Sequence, residues 1–303
     1  MFDLITVGHL AIDLVSSPRI ISPKPRLGGP PTYVSLAAVK LDAKVSVVSK
    51  VGQDFPEDYV KWLRTNNVDL SGLERVEDSL TTKFALKYQS NWKRKLQLKA
   101  RAPPISASDI PTSLQGKAIH IAPIVNELSE DTVTKLRKSA KILSLDPQGF
   151  VRDFDSEANV RLKHWREKSV LELIDIYKSS QDEIKAVTGI SEIPLAAKKI
   201  QEYGVKIIII TRSVQGSTLF FDDSFYNVLA YQPRTVSDPT GAGDAFIGAF
   251  LAEYIRGKDP LWSACVGSAS ASFVVEGIGP ERFGEREETY ERAKEIYEKQ
   301  LKK

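Results

Sequence analysis

Cysteine is nearly absent. Cys265 is the only one, so no internal disulfide can form, and no Cys/His cluster has metal-ligand spacing. A lone thiol of this kind belongs in a helix core. Histidine is scarce too: His9, His120 and His164 stand apart from one another and read as structural rather than catalytic. No stretch reaches the roughly 18 apolar residues of a membrane span. The N-terminal MFDLITVGHL lacks the basic region and long apolar run of a signal peptide, and reads as a strand. Charge of one sign is not in excess: +3 over 303 residues gives no argument for a nucleic-acid partner. Internal repeats and low-complexity segments are missing as well. These absences predict a cytoplasmic globular protein with neither a membrane nor a nucleic-acid partner. What is present suffices for a core, with 42% hydrophobic and 27% charged residues. The length suits one α/β domain over residues 1–303, with at most a small appendage.

The order of patterns sets the architecture. Leu4–Gly8 and Val45–Val51 are short apolar runs, as expected of buried parallel strands. Gly28-Gly29-Pro30-Pro31 opens a helix over Thr32–Leu41, and Pro56–Asn66 reads as another. From about residue 117 strands and helices alternate. The strands are Ala118–Ala122, Ile142–Asp146, Val170–Tyr177 and Val205–Thr211; the helices are Ser129–Lys138, Gln181–Thr188 and Pro194–Tyr203. Alternation of this kind predicts a mainly parallel sheet with helices on both faces. Ser217–Phe221 and Phe225–Val228 form an edge hairpin, and helices follow at Gly241–Arg256, Pro260–Glu276 and Arg286–Leu301. Two segments do not fit the main sheet. Ser16–Pro25 carries three prolines, and Thr81–Ala100 alternates apolar with polar around a turn at Ser90-Asn91. Together they predict a small β-sheet lid built from about residues 14–27 and 80–102.

The chemistry concentrates in Ser237-Asp238-Pro239-Thr240-Gly241-Ala242-Gly243-Asp244-Ala245-Phe246. A turn of small residues feeding a helix N-terminus offers free amides and the positive end of a dipole to an anion. Asp244, in the first turn, could be a plain dipole carboxylate. Beside a phosphate site it is also a base for an acceptor hydroxyl, while the amide cradle stabilises the charge that grows in transfer.

DPTGAGDAF closely resembles the C-terminal signature of the ribokinase-like (PfkB) carbohydrate kinases, usually written DTxGAGD. The resemblance runs over nearly the whole chain and implies a three-layer α/β/α fold, ATP with Mg2+, and a β lid over the substrate. It makes Asp244 the catalytic base and Gly241, Ala242 and Gly243 the anion hole. Asp238 organises the loop, and some members hold a monovalent cation there. Asp13 after Gly8, and the pair Gly28-Gly29, match the family's substrate contacts. On the nucleotide side, Thr211-Arg212-Ser213-Val214-Gln215-Gly216 matches its T-x-G-x-x-G loop, with Ser213 at the first glycine. Thr211, Ser213, Gly216, Thr240 and Ser272 are thereby expected around the nucleotide, with Ala264–Gly279 as the adenine-side helix and closing loop.

The chain departs from the family's Asn-x-x-Glu motif: Ser180 stands for Asn, and Glu183 keeps the acid. Ser-x-x-Glu is also an ordinary capping box. By resemblance Glu183 holds Mg2+ through water. Tyr33 falls where ribokinases place a sugar-contacting Asn, and core packing is the expected role. Arg26 before the glycines, the basic strand leading to Arg101-Ala102-Pro103, and Asp146-Pro147-Gln148-Gly149-Phe150-Val151-Arg152 resemble the myo-inositol kinase branch. Gln148 and Asp13 suit hydroxyls. Arg101 and Arg152 suit ring oxygens or phosphates. The expected function is phosphoryl transfer from ATP to a small polyol, myo-inositol first. The alternatives are nucleoside or sugar and sugar-acid kinases of the same fold, with Tyr33, Phe84 or Trp92 as a slot for a base, and a binding protein that has lost its chemistry. A homodimer through the lid edge is also expected.

Overall fold

The computed structural model describes residues 1–16, 24–89 and 94–301. In chain order the strands are β1 (Phe2–Val7), β2 (Ala11–Ser16), β3 (Pro25–Gly28), β4 (Val45–Gly52), β5 (Val68–Val76), β6 (Thr82–Tyr88), β7 (Arg94–Ala100), β8 (Gly116–Ile121), β9 (Ala140–Leu145), β10 (Arg152–Phe154), β11 (Val160–Leu162), β12 (Ile176–Ser180), β13 (Ile207–Thr211), β14 (Ser217–Phe221) and β15 (Ser224–Val228). The helices are α1 (Pro30–Val39), α2 (Glu57–Thr65), α3 (Glu130–Arg137), the short α4 (Gln148–Val151), α5 (Gln181–Thr188), α6 (Ile193–Gln201), α7 (Ala242–Tyr254), α8 (Pro260–Val274) and α9 (Arg286–Leu301).

The main sheet has nine strands in the order β15-β14-β13-β12-β9-β8-β1-β4-β5. It is parallel except for the edge hairpin β14–β15. Strand alternation divides the core. Leu4, Ala118, Ile207 and Ile209 face α1, α7, α8 and α9. Ile5, Ile119, Ile208 and Ile210 face α3, α5 and α6. The result is three layers, α/β/α. Helices α7 and α8 are apolar almost all round, which suits burial between sheet and neighbouring helices. Cys265 is buried in α8, as its type predicts.

A second sheet of four strands, β3-β2-β6-β7, stands beside the first. Its outer pairs are antiparallel and its central pair, β2–β6, is parallel. The strands begin at Ala11, earlier than the expected residue 14, because the chain leaves the main sheet directly after β1. The expected turn at Ser90-Asn91 and most of the Ser16–Pro25 excursion lie outside the described residues. His9 ties this sheet down. Its Nε2 donates to Pro103 O (3.0 Å) and its Nδ1 accepts from the Thr82 hydroxyl (2.8 Å). Burial holds the imidazole below its usual range, so it stays neutral in this role.

One strand differs from its expected position. Val170 and Leu171 are buried, but in a 3-10 turn over Ser169–Leu173. The strand is β12, which ends in Lys178-Ser179-Ser180. Its polar end is buried, and that made the apolar run before it look like the strand.

Candidate active site

The segment following the C-terminal end of β9, the starts of α1 and α7 and the inner face of the small sheet line an open cleft. Such strand ends are the usual ligand position in α/β folds. Asp13, Gln148, Arg152, Thr240 and Asp244 supply its polar lining. Phe84, Leu86, Leu96 and Ile124 supply an apolar wall.

The turn before α7 is built as the sequence suggests. Gly241 is the N-cap with φ 79°, a left-handed conformation that glycine adopts without steric penalty. A methyl group there would also strike the Tyr33 ring at 2.2 Å, so the turn packs directly on that buried ring. Among the described residues the amides of Gly241, Gly243 and Asp244 meet no protein acceptor, whereas that of Ala242 reaches Pro239 O at 3.3 Å. The open amides of the turn are therefore those of 241, 243 and 244, which share Gly241 and Gly243 with the expected set. Buried Asp238 fixes the turn from below. Its Oδ1 accepts from the Thr240 amide (2.9 Å) and hydroxyl (2.6 Å), and its Oδ2 accepts from the Gly279 amide (3.0 Å).

Asp244 keeps an edge to the cleft, yet protein surrounds its carboxylate. Burial pushes its carboxyl up to about 6, with Asp146 and Glu183 adding to the rise and Lys178 and Arg152 opposing it. A base titrating near the working pH is what proton abstraction from an alcohol calls for.

Lys178 was not expected from the sequence. It is 4% exposed, and its Nζ lies 2.6 Å from Asp146 Oδ2. A methyl group added at Gly243 would come within 3.0 Å of that Nζ, so the ammonium lies against the anion turn. Burial disfavours its charge, but Asp146, Asp244 and Glu183 more than restore it, and Lys178 stays protonated. Asp146 also accepts from the Gln148 amide through Oδ1 (3.1 Å), a local turn that sets the Lys178 pair next to a lining residue of the cleft. Only adjacency of β9 and β12 brings Lys178 and Asp146 together.

The remaining expected residues divide. Asp13 and Gly28 touch: a methyl at Gly28 would meet Asp13 Oδ2 at 2.0 Å. Gly29 lines the cleft. Arg152 is buried, donates to Ile124 O (3.2 Å) and lies over the Phe84 ring at 5.6 Å. Arg101 is exposed, stacks 5.1 Å over Phe154, and is not among the lining residues. Glu183 and Ser180 form the capping box of α5, which uses Glu183 Oε2. Thr211 donates to Ser179 O (3.3 Å). Ser213 has φ 53°, which explains a glycine at that place in the T-x-G-x-x-G pattern. Gly216 passes so close to Val228 O that a methyl would meet it at 2.0 Å. The Ser272 hydroxyl donates to Ala269 O (2.6 Å) and accepts from Arg292 (2.8 Å), so it is engaged within the protein.

Comparison with known proteins agrees with this geometry. The family model for pfkB family carbohydrate kinases matches residues 1–284. A cytidine kinase of Thermococcus kodakarensis is 29% identical over 265 residues, covering 85% of this chain and 90% of the relative. An inositol 3-kinase of Arabidopsis thaliana is 25% identical over 265 residues, covering 85% of this chain and 69% of the relative. A solved pyrophosphate-dependent kinase of the ribokinase family, complexed with a pyrophosphate analog and myo-inositol, superposes with TM-score 0.78 at 26% identity, covering 95% of this chain and 99% of the other.

Proposed function

The chain belongs to the pfkB family of carbohydrate kinases, and from that premise we propose that it phosphorylates myo-inositol from ATP, with Asp244 as the base. The acceptor hydroxyl passes its proton to Asp244 as its oxygen bonds to the γ-phosphorus, and the bond to ADP breaks. The open amides of the turn and the Lys178 ammonium stabilise the charge on the migrating group.

The observation that carries the choice of acceptor is the state of the aromatic rings. A nucleoside needs a flat apolar slot for its base. Of the candidate platforms, Phe84 and Tyr33 line the cleft, but the Arg152 guanidinium lies over one face of Phe84 and Tyr33 is buried against Gly241; Trp92 lies outside the described residues. The polar groups instead come from three segments, at Asp13, at Gln148 and Arg152, and at Asp244, and so approach a ligand from several sides. A ring bearing hydroxyls on every carbon fits that distribution. A panel of myo-inositol, cytidine and other nucleosides, fructose and 2-keto-3-deoxygluconate, followed by ADP release, tests the reading. Faster turnover of any nucleoside than of inositol rejects it.

Glu183 suits Mg2+ at one remove: its capping bonds use one oxygen, and a single carboxylate matches an ion that keeps several waters. The ion would neutralise donor phosphate charge. A monovalent cation at the Asp238 turn is part of the same proposal, tested by the K+ dependence of kcat. The donor has a second reading. Arg292 closes on Ser272 and stacks 3.5 Å over Phe273, on the side expected for adenine. Pyrophosphate would need nothing from that side, so the assay is repeated with it. The four-stranded sheet is the lid over the acceptor in this proposal, and a homodimer would use its β3 edge, because residues 157–159 already meet β7. A monomer at high concentration in sedimentation would rule the dimer out.

A further inference from the structure

Three side chains of β6 alternate on one buried face: Phe84, Leu86 and Tyr88. The first two form part of the cleft wall. Tyr88 is the next in the row, and its hydroxyl lies 2.9 Å from Thr240 Oγ1. Both side chains are buried, at 5% and 6% exposure. This bond joins residues 152 apart in sequence, from the small sheet to the residue directly before Gly241.

The direction of the bond follows from counting protons. Thr240 has one hydroxyl proton. Its 2.6 Å partner, Asp238 Oδ1, is a carboxylate oxygen, so Thr240 donates there. Thr240 Oγ1 must then accept from Tyr88. The chain runs from the Tyr88 hydroxyl to the Thr240 hydroxyl to Asp238, whose other oxygen takes the Gly279 amide. The small sheet reaches the same region a second time: Arg26 of β3 pairs with Glu281, two residues beyond Gly279. One strand of the small sheet thus bonds into the carboxylate junction beneath the anion turn, and a second reaches the segment just beyond Gly279. An acceptor lying against Phe84 and Leu86 sits under the same sheet. Moving that sheet away from the cleft breaks the Tyr88 bond and leaves the Thr240 hydroxyl one partner short.

We propose that Tyr88 is a positioning residue for phosphoryl transfer: its hydroxyl transmits the seating of the small sheet over the acceptor to the anion turn. The proposal rests on the kinase reading above but makes a separate claim. A residue that only filled space at the end of β6 would not need its hydroxyl, and phenylalanine would serve.

The test uses the full chain with Tyr88→Phe, Thr240→Val and the double variant. In Tyr88→Phe, kcat falls about tenfold, the order of one lost buried hydrogen bond, while KM for acceptor and donor each stay within about twofold. Because both substitutions cut the same chain, the double variant is no slower than the slower single one. Amide exchange is the second readout. The Thr240 and Gly279 amides, both held by Asp238, and the Ala245 amide, held by Gly241 O, exchange several-fold faster in Tyr88→Phe, while amides of Ile207–Thr211 are unchanged. An active wild type with equal kcat in Tyr88→Phe overturns the proposal and leaves the kinase reading standing. So do losses that multiply in the double variant, or exchange that does not change. A wild type inactive on every acceptor, with exchange altered as stated, overturns the kinase reading and leaves the coupling standing.

Discussion

Replacing Asp244 with Asn separates catalysis from stability. The substitution keeps the size and removes the proton acceptor, so turnover falls by about 10² or more while donor binding survives. Stability moves the other way. The folded-state carboxyl titrates near 6 rather than 3.8, chiefly through burial. Between those values the folded state holds more protons than the unfolded one, so stability falls as pH rises through this window. The shift corresponds to about 3 kcal/mol at full strength. The open edge of the cleft reduces that to about 1–2 kcal/mol. The Asn variant escapes this cost and melts about 3 °C higher at pH 8. The advantage fades as pH drops through 6 and is gone below about 4. Thermal melts from pH 4 to 8, with coupled assays on the same samples, check both halves. A variant that melts lower than wild type at pH 8, or keeps its advantage at pH 4, refutes the burial of an ionised base. Wild-type kcat/KM should show an acid limb near 6 for the same reason.

Ser213→Gly relieves a left-handed conformation at φ 53° and raises stability by about 1 kcal/mol, read as a denaturant midpoint. Lys178→Met strands Asp146 without its 2.6 Å partner and destabilises by about 3–5 kcal/mol; adding Asp146→Asn recovers most of that. In whichever Lys178 variant folds, the acid limb of kcat/KM moves upward, because the cation that opposes protonation of Asp244 is gone. Arg152→Ala raises the acceptor KM at least tenfold, since this buried side chain lines the cleft, whereas Arg101→Ala changes it less than twofold. Equal effects of the two would contradict the arrangement.

The parts legible in the sequence were those made of contiguous residues. The turn from Asp238 to Asp244 carries its geometry in its own glycines, and the capping box at Ser180 and Glu183 spans a single helical turn. Three-layer architecture followed from alternation alone. Pairings between distant strands left no local mark. Lys178 meets Asp146 across 32 residues because β12 lies beside β9, and Tyr88 meets Thr240 across 152. In sequence Lys178 looks like a surface lysine after an apolar run. Burial of that lysine is also why the strand was expected too early, at Val170–Tyr177 rather than Ile176–Ser180. Propensity reads a strand from its apolar residues, and here the functional end of the strand is polar.

The charges around the turn explain why so much protein converges there. Asp146, Glu183 and Asp244 act on the site from three elements, against Lys178 and Arg152. Counted formally over these five groups, that is three negative charges against two positive, and Asp13 in the cleft and Asp238 beneath the turn add two more negative ones. A phosphoryl group brings more negative charge to a place already short of cations, so it cannot be held by side chains alone. On the proposed reading the deficit would fall on groups without formal charge, the open amides at the start of α7, and on an ion accompanying the donor. It also explains the place of Lys178. A cation next to Asp244 alone would hold the carboxyl too low to act as a base. Shared with Asp146 at 2.6 Å, it keeps its proton, lies against the turn, and leaves the Asp244 carboxyl titrating near 6.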